Sequence, residues 1–152
     1  MTWSVSPQVT KAPVLLDALM LALGKSLYLA CEFERKCQDE LIGKTIANMV
    51  KTRALAPEEI DGLEKARLAC NYIAHDSGKI GQLNYMRPKD VAESLASLRS
   101  AVIDLAIGDN IISVWQFEMQ EKLSAPLWMT QTYVARTRNW VFGDRFEEPD
   151  HL

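Results

Sequence analysis

From Leu16 to Leu41 the sequence keeps one line at alternating steps of four and three residues: Leu16, Met20, Leu23, Leu27, Ala30, Glu34, Cys37 and Leu41. All but Glu34 are apolar. That spacing is the period of an α-helix; a pleated strand, whose faces alternate every second residue, cannot carry it. The spacing predicts a first helix starting near 13, where Pro13 suits a first turn, and running into the forties, to 51 at the furthest. Gly24 and Gly43 fall inside it. Each costs a helix interior about 1 kcal/mol against alanine, which weakens the run without ending it. Residues 1–12 read as an arm leading in.

The helical period recurs downstream. After a turn at 52–56 (TRALA), Pro57 with Glu58, Glu59 and Asp61 makes a helix start: proline in the first turn, then acids near the positive end of the dipole. Leu63, Ala66, Cys70 and Ile73 carry its apolar stripe, and Gly78 after Ser77 suits a left-handed cap. Residues 79–87 read as a loop or short extended stretch. Pro88 opens a third helix through Val91, Leu95, Leu98, Val102 and Leu105. Gly108-Asp109-Asn110 is a turn signal, after which Ile111 to Leu123 form a fourth helix. Ser124-Ala125-Pro126 breaks that one and starts a fifth, from about 126 to 142, stopped by Gly143. Residues 144–152 read as a mobile acidic tail. No strand-type alternation is long enough for a sheet. The expectation is an all-α chain, one domain over 1–152, built as a bundle of about five helices. Such bundles serve many functions, so function must come from particular residues.

Composition narrows the classes. The 152 residues suffice for one domain with a real core. Net charge is −3; residues 1–56 hold seven Lys+Arg against five Asp+Glu, and 88–123 hold three against six. The basic excess of a dedicated duplex-binding surface is missing, so any nucleic-acid contact is local. Three cysteines with no C-x-x-C point to a reducing compartment. Two histidines, one of them His151, supply a zinc site poorly. No metal and no cofactor are expected. The apolar run at 14–23 is too short to span a bilayer and Asp17 interrupts it. LYLAC at 27–31 faintly resembles a lipoprotein cleavage site, but Lys25 and Ser26 stand where apolar residues belong. The expectation is a cytoplasmic protein with no membrane partner.

Residues 67–78, RLACNYIAHDSG, carry the chemistry. Asn71 and His75 are four apart on one helix face, and Arg67 is four before Asn71, so the three form a polar ridge bordered by Leu68. His75 falls at the helix end, where outward-pointing carbonyls favour an imidazolium. Glu34 is the second oddity, a carboxylate on an apolar stripe. Buried and unpaired it would be expensive. It is therefore either a rim residue or paired, with Arg67 or His75 as the obvious partners. Cys70 reads as a small buried hydrophobe. Ser77-Gly78-Lys79 follows a helix instead of opening one, so it is no P-loop. Arg136 and Arg138 with Tyr133 and Trp140 read as an interface, and Trp115, Phe117 and Met119 as core or dimer contacts.

The segment C-N-Y-I-A-H, ending a helix in a small bundle, resembles the signature of the HEPN superfamily: arginine-asparagine, three residues, then histidine at the end of a late helix. Asn71-Tyr72-Ile73-Ala74-His75 matches it, and a long first helix with an acidic residue, Glu34 or Glu32, fits too. In residue pattern the resemblance covers residues 67–78; the helical layout extends it loosely. It implies a HEPN-like fold and a metal-independent endoribonuclease of toxin or defence type, working as a homodimer that joins two motifs in one cleft. By that resemblance His75 is the acid or base on a ribose 2′-hydroxyl or leaving oxygen. Arg67 holds the phosphate, Asn71 orients, and Glu34 supports. The implied partners are a second copy, an RNA substrate and an antitoxin or other protein. The departure is Cys70, which stands where the family arginine immediately precedes the asparagine and cannot replace a guanidinium. Three readings stay open: a nuclease, a catalytically inactive HEPN-like dimer acting through protein contacts, and an unrelated bundle in which Asn71 and His75 cap a helix.

Overall fold

A computed structural model describes residues 14–38, 55–76 and 88–143. Every element among them is helical: α1 (Val14–Gln38), α2 (Pro57–Asn71) continued by a π-helical turn (Tyr72–Asp76), α3 (Pro88–Glu121), and a π-helical turn (Trp128–Thr132) leading into α4 (Tyr133–Phe142). The all-α bundle expected from the periodicity is present. The lead-in arm, the first helix beyond 38, most of the TRALA turn, the Gly78 cap, the loop at 79–87 and the acidic tail lie outside the described residues.

The helix starts follow local chemistry. Pro57 opens α2, and the Ala56 N–H donates to the Glu59 carboxylate at 3.1 Å, half of a capping box. Pro88 opens α3. At the far end Gly143 adopts φ 69°, and its N–H donates to the Asn139 carbonyl at 2.8 Å, closing α4 as the sequence suggested.

Two expectations need correction. The first concerns the phase of α1. Its buried line is Leu19, Ala22, Ser26, Ala30 and Phe33, whereas Met20, Leu27 and Glu34 are exposed. Phe33 fills the core position and turns Glu34 outward. Ser26 is tolerated inside because its hydroxyl donates to the Ala22 carbonyl at 2.6 Å.

The second correction concerns Gly108-Asp109-Asn110, which is no turn. α3 runs unbroken through it for 34 residues. Gly108 faces α2, where a Cβ would overlap that of Ala66 and lie 3.3 Å from the Gly62 carbonyl oxygen. Gly62 is close as well but less confined, its Cβ position 2.9 Å from the end of the Ile111 side chain. Two glycines thus let α2 and α3 approach closely, and the residue type that suggested a chain reversal serves a helix contact. α3 is the central helix, packing on α1, α2 and α4 through Leu98, Val102, Leu105 and Ile112. It ends where Lys122 turns left-handed (φ 57°), just before the expected Ser124-Ala125-Pro126 break.

Candidate functional site

α2 positions the ridge. Leu63, Ala66, Cys70 and Ile73 face the core. The opposite side therefore points to solvent, and Arg67, Asn71 and His75 are all exposed on it. The helix loosens to π geometry at Tyr72–Asp76, so Asn71 closes the α-helical part and His75 sits in the widened turn. Single π turns within helices recur at functional sites because they shift side chains out of helical register.

Glu64 holds Arg67. The guanidinium donates from Nη2 at 2.5 Å and from Nε at 3.0 Å. This contact lowers the Glu64 carboxyl below its ordinary range. Both side chains are half exposed, so the pair is a weak surface contact that another anion can displace. Beside the ridge, α2 and α3 enclose a shallow groove of about 380 Å³, with Leu68, Tyr72, Ser97 and Asp104 among its lining residues.

Glu34 meets neither of the partners the sequence suggested. The contact the structure gives it from α2 comes from Cys70, whose thiol lies 3.4 Å from Glu34 Oε1 and 3.6 Å from the Ala30 carbonyl. Cys70 is only 3% exposed, so the residue in the arginine position points into the bundle, away from the ridge. Burial, then the hydrogen bond to Glu34 and its charge, push the thiol up to about 12. Cys37 is pushed up to about 11, by burial first and then by the charges of Asp109 and Glu34. Neither thiol is a nucleophile at neutral pH.

These shifts have a sign. Both folded values lie above the ordinary 9.0, so the stability they contribute is complete below pH 9 and is lost as pH rises toward 11 and 12. Urea unfolding under reductant, at pH 8 and pH 11, should show that decline. Cys70→Ala should make it shallower.

A second constellation escaped the sequence reading. Lys36 on α1 donates to Asp109 Oδ1 at 2.7 Å and to Ser113 Oγ at 3.1 Å, while the Tyr133 hydroxyl of α4 donates to Asp109 Oδ2. Side-chain exposure of Lys36 and Asp109 is 20% and 10%, so the pair is largely desolvated. Burial, then the Asp109 charge, raises the Tyr133 hydroxyl far above its ordinary value. One signal could have found it: Asp109 continues the apolar stripe Leu98, Val102, Leu105 and Ile112 at steps of four and three. A charge there needs a buried partner. Tyr133 is thus half-buried against Asp109, and Trp140 packs on α1 beside Tyr28 and Lys25.

No protein-family model matches the chain, and no curated protein and no solved structure matches it. Among the described residues no helix is long and apolar enough to cross a membrane, and no group of three or more His, Cys, Asp or Glu is placed to hold a metal ion.

Proposed function

We propose that this chain is a HEPN-like, metal-independent endoribonuclease of toxin or defence type, acting in the cytoplasm as a homodimer. The observation that carries the reading is the shared exposure of Arg67, Asn71 and His75 on one face of α2, ending in a π turn. An RNA phosphate approaching that face can displace Glu64 from Arg67, because an exposed pair three residues apart is worth only about 0.2–0.5 kcal/mol. His75 is the group that moves a proton: as base it takes one from the ribose 2′-hydroxyl, as acid it gives one to the leaving oxygen. Arg67 offsets the charge that develops on the phosphate, and Asn71 orients. Glu34, held against Cys70, positions α2 on α1 and touches no substrate.

Purified protein should cleave RNA in the presence of EDTA, and His75→Ala should lower the rate at least about a hundredfold, the lower bound for loss of a general acid–base group. Equal cleavage by the two proteins, or none by either, removes this reading.

A specific observation favours a second reading, a catalytically inactive HEPN-like module that engages an antitoxin or other protein. Cys70 is buried against Glu34 where an arginine would otherwise stand. An arginine at 70 would have the Glu34 carboxylate within reach, so Cys70→Arg carries its own counter-ion. Cleavage gained by Cys70→Arg marks a decayed nuclease. A folded Cys70→Arg protein that still does not cleave favours the interaction module.

A further inference from the structure

We draw no further inference here: the strongest candidate, the shallow groove between α2 and α3 lined by Leu68, Tyr72 and Asp104, has nothing in the structure to show what covers it, since a nucleobase and an arginine side chain of a partner protein would meet the Asp104 carboxylate equally well.

Discussion

Lys36→Met is expected to cost the fold about 3–5 kcal/mol, because it leaves the Asp109 carboxylate buried without its cation. Methionine keeps most of the aliphatic stem, so lost packing is a small part of the effect. The charge is the larger part. Asp109 is held from one side by Lys36 and from the other by the Tyr133 hydroxyl, and it joins α1, α3 and α4 at one point. Without Lys36 the carboxylate must take up a proton or draw water in, and either change loosens the three-helix junction. Urea unfolding followed by circular dichroism measures the loss. Tyr133→Phe should cost less, about 1–3 kcal/mol, the range for a hydrogen bond to a charged group. Lys36→Met combined with Asp109→Leu should regain much of what Lys36→Met loses, since an ion pair replaced whole by apolar groups is often neutral. A cost below about 1 kcal/mol for Lys36→Met would place the pair with ordinary surface salt bridges and sink the argument.

What could be read in advance divides along physical lines. Signals that act over a few residues were legible. Pro57 and Pro88 open helices and Gly143 closes one, because a fixed φ or a left-handed φ is a property of the residue itself. The period of α1 was legible as well, but its phase was not. With apolar residues on both faces, a line stepping by three and four can be drawn through Met20 and Leu27 as easily as through Leu19 and Ser26. Only the packing of α1 on α3 decides which line is buried. Glu34 was flagged as an oddity and does lie at the rim, yet its contact with Cys70 depends on how α1 and α2 are aligned, which no local rule gives.

The ridge was legible because it lies on one helix. Arg67, Asn71 and His75 share a face by spacing alone, and exposure of that face follows from burial of Leu63, Ala66 and Cys70 on the other. The π turn under His75 was not legible, nor was the capture of Arg67 by Glu64, although Glu64 stands three residues away and the pairing rule for helices covers it. The Lys36–Asp109–Tyr133 junction was missed for the opposite reason. Its members are 73 and 24 residues apart. The one local clue, a carboxylate on an apolar stripe, was hidden because Gly108-Asp109-Asn110 also spells a turn.

That ambiguity leads to the most direct test of α3. In an exposed helix, Gly→Ala stabilises by about 1 kcal/mol through helix propensity. At Gly108 the sign should reverse: Gly108→Ala is expected to destabilise by about 1–3 kcal/mol or more, the range for overpacking a tight contact. The new methyl group would overlap the Ala66 Cβ, with the Gly62 backbone and the Phe33 ring 3.3 and 3.5 Å away. None of these neighbours can retreat cheaply. Ala66 and Gly62 belong to the body of α2, and Phe33 is a core residue of α1, so α2 and α3 must move apart as units. The same separation would disturb Asp109, the next residue, and through it the Lys36 contact. Gly108→Ala should therefore couple energetically to Lys36→Met in a double-mutant cycle, with an interaction energy of about 0.5 kcal/mol or more. Gly24→Ala is the matched control. Among the described residues nothing lies within 4 Å of its Cβ position, so Gly24→Ala should raise the unfolding midpoint. A Gly108→Ala protein more stable than wild type would mean that Gly108 does end a helix, as the sequence pattern alone suggests, and that α3 is not one continuous rod.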